Sequence, residues 1–370
     1  MTARVLQIVD KVAPIEFFPA VPQNFVLHEG ESVPPEVVLT DPDISLYCLD
    51  DDNRQALFVQ TPAGVDLLRA PFYYLAQYQH AQRVIAVPYD TLHRLADDLA
   101  DPANLVLIYS VGRCGSTLIS QALKAVDGVL SYSEPDVYTQ IAMLRHRNRS
   151  REQEYLRLIR SCTRILGRDA SAVALKFRAG GIHLGDLFHQ VYPDARNIFL
   201  HRHVERWLES MNAGFTQNLP GPEAEPTYTR FLMAQAPLLK SFLRQHRRRP
   251  TLTESYTLNW LSVMDKYLTL RDDGVPFLTV RYEDIQAEPR ATLLELLDYC
   301  GLRIEDFDRA YDTFAADSQE GTVLSVASRQ RNPAPALSPQ DYLAARAVLA
   351  EHPIVRTPDF DVCAALAIAD

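Results

Sequence analysis

The chain has 370 residues, of which 47% are hydrophobic and 23% are charged, a composition typical of a globular protein with a sizeable core. Its formal charge of −10, from 37 basic and 47 acidic residues, makes a broad nucleic-acid-binding surface unexpected but is compatible with a local basic pocket for one anion. The five cysteines lie far apart and form no C-x-x-C pair, which predicts neither a disulfide framework nor a zinc site and favours a reducing cytoplasm.

The N-terminal region, residues 1–100, mixes short apolar runs with turn clusters such as HEGESVPPE and ends in the helix-like run DTLHRLADDLA. We predict a cap or accessory region here, with a fold that the pattern does not define. No stretch reaches the roughly 18 to 20 uninterrupted apolar residues of a membrane span, and the first apolar segment contains charges that a signal peptide would lack. The expected partners therefore include neither a membrane nor a nucleic acid.

Residues 101–370 alternate between strand-like and helix-like segments. The strand-like segments include NLVLIYS, VLSYSE, AVALKF, NIFLH and FLTVRYED, and helix-like segments such as EQEYLRLIRSCTRIL lie between them. This alternation predicts an α/β fold, a three-layer arrangement of a parallel sheet flanked by helices. A proline-rich segment, residues 218–228, is predicted to be a loop, with a lid as one reading.

The turn that follows the first of these strands has the sequence SVGRCGSTL. A turn between a buried strand and a helix exposes backbone N–H groups at the positive end of the helix dipole, which suits phosphate or sulfate. Gly112 and Gly115 would let the backbone approach such an anion, and Ser116 and Thr117 would add hydroxyl groups. An ordinary glycine turn without a ligand is the alternative.

The turn differs from the nucleoside-triphosphatase loop G-x-x-x-x-G-K-[ST] at two defining positions. Ser110 stands where that loop has its first glycine, and Ser116 stands where it has its lysine. Arg113 is the strong cation within this turn.

A second candidate anion site follows a later strand, in the sequence NIFLHRHVERWLES. Arg202 ends the strand and Ser210 lies on the next helix, so both are expected at the carboxyl edge of the sheet, near the first loop. An arginine fork binds phosphate well. A surface ion pair of Arg202 with Glu205 or Glu209 is the alternative reading.

In this order, the motifs SVGRCGSTL, SEP, LKFR, RHVERWLES and VRYED closely resemble the sulfotransferases that use 3′-phosphoadenosine 5′-phosphosulfate (PAPS), over roughly residues 60–335. The resemblance implies a P-loop sulfotransferase domain over residues 101–370, PAPS as cofactor without a metal, and a small-molecule hydroxyl acceptor, with an amine as second choice. The residues that it implies for cofactor binding are Gly112, Arg113, Cys114, Gly115, Ser116, Thr117, Arg202, Ser210, Tyr282, Arg329 and Arg331.

The same resemblance implies catalytic residues. Arg113 and Lys176 would neutralise the leaving phosphate, and Glu134 would be the general base. Many cytosolic members have a histidine two residues after the lysine, but this chain has Arg178 there, and His183 does not occupy the motif position. A capping carboxylate at Glu134 and a strand-end lysine at Lys176 are the structural alternatives.

Two alternative functions conflict with particular residues of these motifs. A phosphotransferase using a nucleoside triphosphate and magnesium conflicts with the serine at position 116, and a non-catalytic nucleotide-binding module conflicts with the intact Arg113, Glu134 and Lys176. The thiol of Cys114, at a helix start, is expected to have a lowered pKa, although direct displacement gives it no nucleophilic task. The acceptor and the oligomeric state stay open.

Overall fold

The structure, a computed structural model, describes residues 2–12, 18–216, 231–360 and 362. Within these ranges the strands form two five-stranded sheets, one near the N-terminus and one in the rest of the chain. The proline-rich loop predicted at residues 218–228 lies outside the described residues.

The N-terminal region folds as an antiparallel sheet, a fold that the sequence pattern left undefined. Its strands are β1 (Ala3–Lys11), β2 (Phe25–Val33), β3 (Ile44–Asp50), β4 (Gln55–Gln60) and β5 (Arg83–Pro88), in the order β2-β1-β5-β4-β3. Three helices accompany them, α1 (Val37–Thr40), α2 (Tyr73–His80) and α3 (Tyr89–Asp97). Because side chains alternate along a strand, Phe58 packs into the main core on one face and Leu57 into a smaller cluster on the other.

The second sheet is parallel, as the alternating pattern predicts. Its strands are β6 (Leu105–Ser110), β7 (Val129–Ser133), β8 (Ala172–Lys176), β9 (Arg196–His201) and β10 (Leu278–Arg281), in the order β10-β9-β6-β8-β7. All six residues of β6 are buried, as expected for a central strand covered on both faces. The α/β fold class is confirmed.

Helices cover this sheet. They are α4 (Ser116–Lys124), α5 (Val137–Arg147), α6 (Glu152–Leu166), α7 (Gly185–Val191), α8 (Val204–Phe215), α9 (Leu238–His246), α10 (Leu252–Asp272), α11 (Tyr282–Ala287), α12 (Pro289–Tyr299), α13 (Phe307–Asp312), α14 (Val326–Arg331) and α15 (Pro339–Ala350). The Ser338 side chain caps α15, with Asp341 completing a capping box. Across the described ranges, no helix combines the length and the apolar character that crossing a bilayer would need.

The strand order decides where the predicted site residues meet. Strand β6 lies between β8 and β9 and pairs in parallel with both, with Ile108 opposite Lys176 and opposite Ile198. The chain therefore leaves all five strands at one edge of the sheet, where ligands of open α/β sheets bind. Glu134 follows β7 and Arg202 follows β9.

Candidate active site

The loop between β6 and α4, residues 111–115, has a backbone that few residue types accept. Gly112, Arg113 and Gly115 all have positive φ angles, of 74°, 51° and 83°. A Cβ on Gly115 would lie 3.1 Å from the ring of Tyr282, so this position needs glycine for space as well as for conformation. Arg113 adopts a left-handed conformation that is rare for a side chain of its size.

Neighbouring groups hold this loop by its carbonyl oxygens. The Trp207 indole N–H donates to the carbonyls of Val111, at 3.1 Å, and Gly112, at 2.8 Å. An Nη of Arg202 donates to the carbonyl of Arg113 at 3.2 Å. The first helical bond runs from the Ile119 N–H to the Gly115 carbonyl, so the N–H groups of residues 116–118 have no partner within the helix. The loop thus presents donors to an anion.

The hydroxyl groups at the start of α4 are buried and already oriented. Ser110 donates to the Ser116 hydroxyl at 3.3 Å. The amide of Gln319 donates to the Thr117 hydroxyl at 3.0 Å, so the chain around residue 319 covers the outer side of the loop. Gln319 carries no motif signal, and a contact across about 200 positions of sequence is invisible to local pattern reading.

The expectation for Cys114 was wrong. Its Sγ is fully buried and lies 3.4 Å from the Leu200 carbonyl oxygen. Burial raises the pKa of the Cys114 thiol to about 11, because it disfavours the thiolate more than nearby donors and cations stabilise it. The thiol therefore stays protonated and packs as a small apolar group.

Three arginines, Arg113, Arg202 and Arg329, lie in or beside the loop. Arg113 donates through Nε to the Ser210 hydroxyl at 3.2 Å. Burial, together with the charges of Arg329 and Arg202, lowers the pKa of Arg113 to about 10. Such crowding of like charges favours an anion among them.

Arg202 and Arg329 also have unused donors. Within the described part of the chain, the Nε atoms of both side chains are buried and have no hydrogen-bond partner. The guanidinium carbon of Arg202 lies 4.6 Å from the ring centroid of Tyr282, which gives that cation an aromatic support. Buried donors without partners are rare, so these groups fit a phosphate ligand.

The structure places Arg331 away from the cavity, which contradicts its prediction as a cofactor-binding residue. Residues 326–331 form helix α14, which carries both Arg329 and Arg331. Arg329 lines the cavity at the sheet edge, whereas Arg331 is exposed, bonds the Ala327 carbonyl and does not line that cavity. The helical turn points the two side chains in different directions.

Glu134 and Lys176 form a buried ion pair. The Lys176 ammonium donates to Glu134 Oε1 at 2.5 Å, and the Glu134 N–H donates to the Lys176 carbonyl at 2.7 Å. Burial alone would raise the pKa of Glu134, but the charges of Lys176 and Arg178 outweigh it and hold the pKa below its ordinary value. Glu134 is therefore a carboxylate at neutral pH, a direction that the sequence did not reveal.

Arg178, two residues after Lys176, is held by Asp136. Its Nε donates to Asp136 Oδ1 at 2.6 Å. His183 bonds the Gln235 carbonyl at 2.8 Å and is not among the residues that line the cavity. Burial lowers the pKa of His183 to about 4, so it is neutral at physiological pH.

One cavity of about 640 Å³ contains this arrangement. Its walls include residues 111–113 and 115 of the loop, together with one side chain at or just after the carboxyl end of each of the five parallel strands. These side chains are Arg113, Glu134, Lys176, Arg202 and Tyr282. Ser210 and Arg329 also line it, and the aromatic residues Phe72, Tyr74 and Phe231 form another part of the wall.

This fold and cavity define an α/β protein with an anion-binding loop at the carboxyl edge of a parallel sheet. Residues 182–306 match the model of a family described as "Sulfotransferase family". The match confirms the sulfotransferase resemblance over this segment. It includes Arg202, Ser210 and Tyr282, whereas the first loop, Glu134 and Lys176 lie outside the matched segment.

Solved structures with a similar chain course include two bacterial sulfotransferases and one from mouse. STF9 from Mycobacterium avium is 13% identical with a TM-score of 0.43, over 70% of this chain and 78% of that one. STF1 from Mycobacterium tuberculosis is 15% identical with a TM-score of 0.39, over 66% and 81%. Mouse SULT7A1, in complex with PAP, is 13% identical with a TM-score of 0.39, over 75% and 93%. No curated protein matches the chain.

Proposed function

We propose that this chain is a sulfotransferase that moves the sulfuryl group of PAPS to a hydroxyl group of a small molecule. One observation carries the proposal: side chains at or just after the carboxyl ends of the five parallel strands place three cations, one carboxylate and Tyr282 at a single anion-binding loop. A sulfuryl transfer needs these elements, because negative charge develops on the leaving phosphate while the acceptor loses a proton.

The polar groups around the cavity suit such a cofactor. The N–H groups at the start of α4 and the hydroxyls of Ser116 and Thr117 would hold the 5′-phosphosulfate. Arg202 and Arg329, with buried Nε donors that lack a partner in the described ranges, would bind the 3′-phosphate together with Ser210. Tyr282, which supports Arg202, would form the adjacent wall. The bound cofactor supplies a sulfuryl group on a phosphate that can leave.

In this mechanism Glu134 takes the proton of the acceptor hydroxyl. Its lowered pKa keeps it ionised and ready to accept a proton over the neutral range. Once protonated, Glu134 no longer neutralises Lys176, 2.5 Å away in the resting pair. The freed positive charge of Lys176 then joins Arg113 in stabilising the departing phosphate.

Metal independence and the cellular compartment belong to the proposal as well. PAPS offers no β,γ-phosphate pair for a chelated metal, and arginines can neutralise the leaving group. Four cysteines of the described ranges, at positions 48, 114, 162 and 300, are buried free thiols. Free thiols are compatible with the reducing cytoplasm that we propose as the compartment.

The test is a transfer assay with ³⁵S-labelled PAPS and a mixed extract of small molecules, followed by mass spectrometry of every labelled product. We expect label in a hydroxyl-bearing compound in the presence of a chelator, and loss of label with Glu134→Gln. A magnesium-dependent transfer of phosphate from ATP would instead identify a phosphotransferase. Binding of the product 3′,5′-adenosine bisphosphate (PAP) without any transfer would identify a non-catalytic module.

A further inference from the structure

A second buried ion pair, Arg178 with Asp136, lies beside Glu134. Arg178 donates to both Asp136 oxygens, from Nε at 2.6 Å and from an Nη at 3.0 Å. The Asp136 side chain is fully buried and that of Arg178 nearly so. Removing two charges from water costs about as much as their attraction returns, so stability alone is a weak reason for such a pair in a cavity wall.

The geometry of Arg178 toward Glu134 suggests another reason. Lys176 bonds Oε1 of Glu134 at 2.5 Å, whereas Arg178 Nε lies 3.7 Å from Oε2. The second distance is too long for a hydrogen bond but short enough for strong attraction. Oε2 thus lies close to a positive charge without accepting a hydrogen bond from it.

The N-terminal region holds this pair in place. The ring centroid of Tyr74 lies 4.2 Å from the Arg178 guanidinium carbon, and the Phe18 carbonyl accepts from an Arg178 Nη at 3.1 Å. The Ala20 N–H donates to Asp136 Oδ2 at 2.8 Å. Arg178 is therefore fixed from several sides and cannot easily swing toward Glu134.

We propose that Asp136 and Arg178 are a positioning pair for Glu134, in which Asp136 holds the Arg178 charge near Oε2 and keeps that oxygen available for the acceptor proton. The inference rests on the proposed function for its consequence in catalysis. Neither residue touches the reacting atoms. Arg178 stands where the sequence resemblance places a histidine in many cytosolic members, and the pair acts through Glu134.

Titratable groups from several elements face Glu134. Lys176 ends β8, Arg178 follows it, and Asp136 precedes α5. From the N-terminal sheet and α2, Tyr47 and Tyr74 face the same cluster, and burial raises the pKa of Tyr74 to about 12, so it stays neutral. The carboxylates of Glu134 and Asp136 then balance the two cations. Removing Arg178 and removing Asp136 should therefore shift the pKa of Glu134 in opposite directions.

The test measures the titration of Glu134 directly, by NMR of the full chain with ¹³Cδ-labelled glutamate, assigned with Glu134→Gln. With Arg178→Gln we expect the pKa of Glu134 to rise, because an attracting cation is lost. With Asp136→Asn we expect it to fall, because Arg178 is then free to bond Oε2. The double variant Asp136→Asn/Arg178→Gln removes both buried charges together and controls for folding, with a thermal midpoint closer to wild type than that of Arg178→Gln.

A matched control is the half-buried pair of Arg145 with Asp186, which contacts neither Glu134 nor Lys176 in the described structure. Arg145→Gln/Asp186→Asn should leave the Glu134 titration unchanged. Shifts of the same sign for Arg178→Gln and Asp136→Asn, or no shift in either, would overturn the proposal. So would a double variant that transfers sulfate at the wild-type rate. PAP affinity, measured on the same samples, separates this failure from that of the proposed function: wild-type protein that does not bind PAP contradicts the function alone.

Discussion

At the scale of single residues, the state of Glu134 depends on its partners. The carboxylate is buried, and its pKa is low only because Lys176 and Arg178 lie next to it. A carboxyl group with a lowered pKa in the folded state stabilises the fold above its unfolded pKa. That stability is lost as the pH falls through the folded pKa.

This balance predicts the effect of Lys176→Met. Without the ammonium, burial dominates and raises the pKa of Glu134 above its ordinary value of 4.5. We expect the acid limb of the kcat/KM profile to lie closer to neutral pH in Lys176→Met than in the wild type, in which the pKa of Glu134 is lowered. The rate plateau should also fall, because the leaving phosphate loses a cation. Rates measured from pH 4 to 8 on the acceptor found by the transfer assay check this, and an unmoved acid limb would show that Glu134 is not the titrating base.

At the scale of elements, the unit formed by β6, the loop and α4 depends on Gly115. Gly115→Ala adds about 1–2 kcal/mol of backbone strain at a φ of 83° and brings a methyl group 3.1 Å from Tyr282. We expect PAP affinity to fall at least about tenfold, because the loop and Arg202 both pack against the Tyr282 ring.

Gly274→Ala is the control for this substitution. Gly274 has a φ of 87° and no atom within 4 Å of an added Cβ, so it carries similar strain without touching the site. It should lower the thermal midpoint by a similar amount and leave PAP affinity unchanged. Equal losses of affinity in both variants would mean that general destabilisation, not the loop, is responsible. Calorimetry and thermal unfolding measure the two quantities.

The same elements show what the sequence could predict. Helix α6 spans the residues of its amphipathic run, Glu152–Leu166, because an apolar stripe and Gly167 define both its register and its end. The loop could be placed between a strand and a helix because its motif is local. Gln319 and the Asp136–Arg178 pair were missed, since long-range contacts leave no periodic signal. The direction in which the Cys114 pKa shifts was predicted wrongly, because the depth of burial depends on the whole fold.

At the scale of the whole molecule, the two sheets share one core. The main cluster of buried residues contains Ile85 of the N-terminal sheet and Leu107 and Phe199 of the parallel sheet. Gln140 on α5 exchanges hydrogen bonds with the backbone of Leu49 on β3, at 2.6 and 3.1 Å. The strand order of the N-terminal sheet could not be read from sequence, because antiparallel pairing between distant strands is set by tertiary packing.

We therefore predict that the chain unfolds in one cooperative transition, although residues 1–100 and 101–370 differ in architecture. Differential scanning calorimetry should give a single peak with equal calorimetric and van 't Hoff enthalpies. PAP should move the whole peak upward, since a ligand that binds only the folded state stabilises everything coupled to it. Two resolved peaks, with only one shifted by PAP, would contradict the shared core.

The most direct test of the central claim is a calorimetric titration with PAP in the presence of a chelator. We predict saturable binding to the wild type, weaker binding of ATP, and a loss of about 10- to 100-fold with Arg202→Ala, which removes charge-assisted bonds to the 3′-phosphate. Arg331→Ala, an exposed arginine outside the cavity, should bind PAP like the wild type. Absence of PAP binding, or equal binding by Arg202→Ala and the wild type, would contradict the assignment of this site.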